Sequence, residues 1–143
     1  MVGSDGLNFF PNTNTVLLTE INNLMNWEQS AENRYLWVLR LTDDAYALEE
    51  CEFAKHFDKG FIKHSNLTGG DKAYCAGEMW FLADNTVIIN GSSGRYGPND
   101  IDMLEDAAKE FQRHGLRVGY MGYSELGQPL VIIERESDVN WVS

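Results

Sequence analysis

One histidine, one carboxylate and several small polar residues stand among glycines between positions 60 and 98. The stretch reads Lys63-His64-Ser65, then Thr68-Gly69-Gly70, then Ala76-Gly77-Glu78, then Gly91-Ser92-Ser93-Gly94-Arg95-Tyr96-Gly97-Pro98. An imidazole titrates near neutrality, so His64 is the residue best suited to act as a general base or as a hydrogen-bonding group toward a ligand. Glu78 sits in the apolar run Tyr74–Phe81. A carboxylate there must meet a partner, reach a site or turn to solvent. By strand alternation it shares a face with Tyr74, Ala76 and Trp80, and it is the candidate acid or orienting carboxylate. Lys63, Ser65, Ser93, Arg95 and Tyr96 are the candidate ligand-binding residues. Glycines let backbone come close to a ligand, and Arg95 beside the amides of the 91–98 loop suits an anion.

Several specific chemistries lack their signatures. The 91–98 loop has no Gly-Lys-Ser/Thr ending of a phosphate-binding P-loop and no Gly-x-Gly-x-x-Gly spacing. A Gly-x-Ser-x-Gly nucleophile elbow and a Pro-Cys-x-x-Cys deaminase element are missing as well. The two cysteines, Cys51 and Cys75, make neither a disulfide framework nor a zinc pattern, and Cys75 reads as a buried free thiol. His56, His64 and His114 lie far apart, so no metal site is expected. No cofactor is singled out.

The elements that must position these residues follow from hydrophobic spacing. Residues 1–13 read as a loose N-terminal arm, and 14–143 as a single globular domain. Val16, Leu17, Ile21, Leu24 and Met25 have helical spacing after a cap at Asn14 or Thr15. Aromatic and branched content predicts strands over 34–41 and 45–49, and a short extended piece over 61–64. A hairpin is predicted over 72–82 and 86–90 around Asp84-Asn85. The spacing predicts a long helix over about 99–114, with Asn99 as cap and a stripe of Ile101, Leu104, Ala107, Ala108 and Phe111. Gly115 ends it. Two last strands are expected over 116–123 and 129–134, around a turn at Glu125–Gln128. The fold expected is α+β, a mostly antiparallel sheet with an N-terminal helix and one long helix.

Composition bounds the function. The chain has 143 residues, 43% hydrophobic and 12% aromatic, which suits one domain with a real core. Eleven basic residues face twenty-two acidic ones, a net charge of -11. Direct nucleic-acid binding is not expected, because phosphates repel this balance. No apolar run is long enough for a membrane span, and Met1–Phe10 lacks the basic and apolar regions of a signal peptide. A cytoplasmic protein without membrane contact is the expectation. The acidic balance also suits a basic protein partner.

The order His64-Ser65-x-Leu67-x-Gly69, then Ala76-Gly77, then Ser93-Gly94-x-Tyr96-x-Pro98 resembles a domain of plant IQ-motif calmodulin-binding proteins. It also resembles C-terminal domains of some Rhs-type bacterial polymorphic toxins. The likeness spans about residues 35–121. Arg95 stands where the pattern has a second histidine, and Asn66 replaces a serine. The calmodulin-binding segment of the plant proteins is not matched, so calmodulin binding is not implied. The resemblance implies a domain of toxin or effector type.

Two functions follow as expectations. One is a small domain that binds a polar or nucleotide-like ligand, with or without catalysis, through Lys63, His64, Ser65, Glu78, Ser93, Arg95 and Tyr96. The alternative is a non-enzymatic acidic protein of immunity or inhibitor type that binds a basic partner.

Overall fold

In a computed structural model, residues 8–9, 35–40, 44–48, 63–68, 70, 72–82, 86–131, 133 and 135–143 are described. The helix expected from Val16 and the segment 50–59 lie outside them. The strands are β1 (Asn8–Phe9), β2 (Tyr35–Arg40), β3 (Asp44–Leu48), β4 (Ala73–Leu82), β5 (Thr86–Ile89), β6 (Arg117–Met121) and β7 (Val139–Trp141). The helices are α1 (His64–Thr68) and α2 (Ile101–Arg113). The strands form one sheet in the order β1-β3-β2-β4-β5-β6-β7. Every neighbouring pair is antiparallel except β5 and β6. Parallel neighbours need a long crossover, and α2 supplies it. The fold is thus the expected α+β arrangement.

The long helix forms for the reasons its sequence gives, with two differences. Asp100, not Asn99, is the cap: its Oδ1 accepts from Met103 N at 2.9 Å. A carboxylate at this position meets both the orphan amides and the positive helix end, where a neutral amide meets only the first. Ile101, in the first turn, stays partly exposed, while Leu104, Ala107, Ala108 and Phe111 are buried. At the other end Gly115 takes φ +90°, a conformation that L side chains rarely adopt, and its N donates to Gln112 O at 2.9 Å. The buried stripe meets Trp37, Met79, Val118 and Tyr120 in one core cluster. Trp37 and Phe111 cross edge to face with ring centroids 5.3 Å apart. Trp80, Ile88 and Met121 belong to a second cluster, closed by Ile133 and Val139. Successive β4 side chains therefore feed two cores, one on each side of the sheet.

Two other expectations are corrected. The extended piece over 61–64 is not observed at its end, because His64 opens helix α1. A turn of helix buries Leu67 completely, and Arg40 Nη1 caps it by donating to Leu67 O at 2.9 Å. Among the described residues of 129–134, the expected strand is reduced to an isolated bridge between Tyr123 and Pro129. Pro129 brings no N–H to a ladder. The place beside β6 goes instead to β7, which sequence reading missed: it is only three residues long and carries the exposed Asn140 at its centre.

Candidate functional site

The site is built around a glycine. Gly77 pairs with Trp37 in the β2–β4 ladder. A methyl group placed on Gly77 would lie 1.9 Å from Asn90 O and 2.9 Å from Trp37 Cζ2. Only a residue without Cβ lets both groups approach this close. The indole uses the space: Trp37 Nε1 donates to Glu78 O at 3.0 Å. Asn90 follows β5 and continues beside β4, its N donating to the same Glu78 O at 2.9 Å.

Asn90 is completely buried, and both polar atoms of its side chain are hydrogen-bonded. Its Oδ1 accepts from Glu78 N and from Ser92 N, each at 3.0 Å. Its Nδ2 donates to Glu78 Oε1 at 3.0 Å. One side-chain amide thus holds the backbone of β4, the start of the 91–98 loop and the candidate carboxylate together. Buried polar groups demand this kind of satisfaction. The loop is then tied to β4 again, by Ala76 N donating to Tyr96 O at 2.9 Å. Ser93 Oγ accepts from Tyr96 N at 3.2 Å, which tightens the turn.

Helix α1 brings the histidine. His64 Nε2 lies 2.7 Å from Gly77 O. A carbonyl only accepts, so Nε2 carries the proton and donates. Burial pushes the His64 pKa below its ordinary value, partly opposed by this hydrogen bond. The ring is therefore neutral near pH 7, and the nitrogen without a proton is Nδ1. Among the described residues no hydrogen bond reaches Nδ1. At the far end of α1, Thr68 Oγ1 lies 3.0 Å from Tyr96 OH and accepts from Gly70 N at 3.0 Å. Helix α1, the centre of β4 and the 91–98 loop thus meet.

Five of the seven sequence-predicted residues can be placed by their side chains. His64, Glu78, Ser93 and Tyr96 belong to the network just described. Arg95 is exposed and lies with its guanidinium carbon 5.3 Å from the centroid of the Tyr96 ring. Lys63 is exposed just before α1, and Ser65 lies within α1. Sequence reasoning missed Asn90, Thr68 and Trp37 as members. Asn90 was legible in principle, as a polar residue between the apolar Val87-Ile88-Ile89 and Gly91. Thr68 stood out only as a polar neighbour of His64, and Trp37 carried no such signal, because its partner Glu78 is distant in sequence.

Neighbouring groups behave differently. Tyr123 OH is buried against Gly91, with no hydrogen-bond partner among the described residues. Burial pushes the Cys75 thiol up to about 12, with the Asp106 charge adding to it, so it is an inert core group. A surface groove of 440 Å³ lies beside the second half of α2, lined by Glu105, Lys109, Tyr120 and Trp141 among others. It contains none of the predicted site residues. Tyr120 donates to Glu105 there; burial and this bond raise the tyrosine to about 12. No group of three or more His, Cys, Asp and Glu residues that could hold a metal occurs among the described residues. No helix among them is long and apolar enough to cross a membrane.

The chain was compared with family models, with curated proteins and with solved structures, and none matches.

Proposed function

We propose that the residues gathered around Gly77 form a binding site for a small polar or nucleotide-like ligand, in a cytoplasmic domain of toxin or effector type. One observation carries this reading: the ring of His64 is fixed by Gly77 O in a single tautomer and offers Nδ1 as an acceptor. A histidine oriented through one nitrogen and open at the other is the arrangement of a general base. Glu78 stands at the next position along β4, its carboxylate oriented by Asn90. The resemblance of residues 35–121 to toxin C-terminal domains supports the effector type.

The reading is tested by a thermal-shift screen of the full chain against nucleotides and sugar phosphates. A ligand that binds the native state raises the apparent melting temperature. At least one compound is expected to raise it by several degrees in the wild type and to lose that effect in a variant carrying both His64→Gln and Arg95→Ala. A shift that survives both substitutions, or the absence of any shift, contradicts the reading.

A second reading has its own observation. Asp100, Asp102 and Asp106 are all exposed, next to the exposed Tyr74 and Ile101. An acidic face with apolar anchors suits a basic protein partner. A partner recovered with the full chain at low salt, and released by about 0.5 M salt through charge screening, is expected on this reading. Recovery unaffected by salt counts against it.

A further inference from the structure

We infer that the groove between α2 and β7 takes an extended acidic segment of another protein, which adds a strand to β7 and turns its carboxylates toward Lys109 and Arg113. This surface lies apart from the Gly77 site, and the inference does not depend on the reading of that site.

The groove forms where a helix runs along the end strand of the sheet. β7 stands last in the strand order. Tyr120, which faces Asn140 across the β6–β7 ladder, donates from its hydroxyl to Glu105. Further along, Gln112 Nε2 donates to Ser143 O at 3.0 Å. From Glu105 to Gln112 a helix rises about 10.5 Å, and from Asn140 to Ser143 an extended chain advances about 10 Å. Helix α2 and β7 therefore run side by side in the same direction, and the 440 Å³ groove follows them.

The strand offers main chain to this groove. Val142 N donates to Val118 O at 3.0 Å, so Val142 turns its amide toward β6. By alternation Trp141 turns its N–H and C=O away from β6. Among the described residues no hydrogen bond reaches either group. The Trp141 ring packs with the cluster on the face away from α2, where the Arg117 guanidinium carbon lies 3.8 Å from its centroid. An unpaired N–H and C=O at a sheet edge are a template for one more strand.

The helix sets the charge. Lys109 and Arg113 stand about one turn apart, and both line the groove. Lys109 gives one of its three donors to Glu105 at 3.2 Å, and Arg113 one of its five to Glu110 at 3.0 Å. Their other donors have no partner among the described residues. Glu105, the acidic side chain of the lining, already accepts from both Tyr120 and Lys109. Four helical residues rise about 6 Å, and side chains on one face of a strand repeat every 6.7 Å or so, roughly the same step. Carboxylates at every second position of an added strand therefore meet both cations. The net charge of -11 acts at longer range and is screened beyond about 10 Å at 0.1 M salt.

Titration of the ¹⁵N-labelled full chain with a blocked hexapeptide of alternating threonine and glutamate tests this, with affinity read from the amides of residues 105–113 and 139–143. The peptide is expected to move them saturably at about 1 mM or below, and its threonine–lysine counterpart to leave them unmoved. Alternate amides of a strand face opposite edges. Of two forms of the acidic peptide, N-methylated at the threonines or at the glutamates, one is therefore expected to bind and the other not. A variant with Lys109→Ala and Arg113→Ala loses two side chains that are 56% and 77% exposed. It is expected to keep the wild-type melting temperature and to bind the peptide about fivefold more weakly. Unmoved groove amides with the acidic peptide would overturn the inference, as would equal binding of the basic peptide or of both methylated forms. Free glutamate bound as tightly as the peptide would overturn it in favour of a small-anion site. A dimer of the chain in sedimentation, broken by the double variant, would overturn it in favour of a second copy.

Discussion

His64 decides more than any other side chain. Its neutral, oriented state follows from burial and one hydrogen bond, and both have a consequence for stability. As pH falls below the ordinary histidine value of about 6.5, the unfolded chain takes up a proton that the folded chain resists. The unfolded state then binds more protons, so the stability contributed by the neutral ring is complete above that pH and is lost progressively below it. Urea midpoints of the wild type and of His64→Gln, compared at pH 7.5 and pH 5.5, measure this. The wild type is expected to lose more stability than the variant on acidification; equal losses would show that the ring is not held neutral. Asn90 is the second decisive residue. Asn90→Ala leaves the amides of Glu78 and Ser92 without their acceptor, and a loss of about 3 kcal/mol in denaturant unfolding is expected from the two groups together. A loss under about 1 kcal/mol would show that these amides find other partners.

At the scale of elements, the sequence was clearest where spacing and chemistry agreed. Helix α2 has an apolar stripe, an acidic first turn, Arg113 in its last turn and a glycine just beyond, and these placed a helix over about 99–114 where the structure has Ile101–Arg113. Strands β2, β4 and β5 were legible from their aromatic and branched runs, because most of their length is buried. The failures share a cause: short elements are chosen by tertiary contacts. Helix α1 has only five residues, and nothing local demands a helix until Leu67 must reach the core and Arg40 must meet its carbonyl. Strand β7 has three residues and exists because β6 offers an edge. The network around Gly77 was half legible. The residue types at 64, 78 and 93–96 marked it, but the close approach of Asn90 and Trp37 to Gly77 depends on β4 lying between its two neighbours. The cap of α2 supplies a prediction at this scale. Asp100→Ala removes the acceptor for Met103 N and is expected to cost about 1 kcal/mol, whereas Asn99→Ala is expected to cost only a few tenths. The reverse order in thermal or urea unfolding would assign the cap to Asn99.

For the whole molecule, a sheet carries two clusters of apolar side chains among the described residues, and its central strand also anchors a set of polar groups. Polar residues from three separated stretches, 64–68, 76–78 and 90–96, meet across β4. The chain also carries a large negative charge, so any anionic ligand is drawn in locally, by Arg95 and Lys63, against the field of the molecule as a whole. The binding claim and the partner claim make different demands on this surface: the first uses the loop after β5, the second the outer face of α2. Amide chemical shifts of uniformly ¹⁵N-labelled protein, recorded while adenosine 5′-monophosphate is added, separate them directly. The account predicts saturable shifts concentrated at residues 63–68, 76–78 and 90–96. Shifts confined to the groove beside Trp141, or no shifts at millimolar nucleotide, would contradict it.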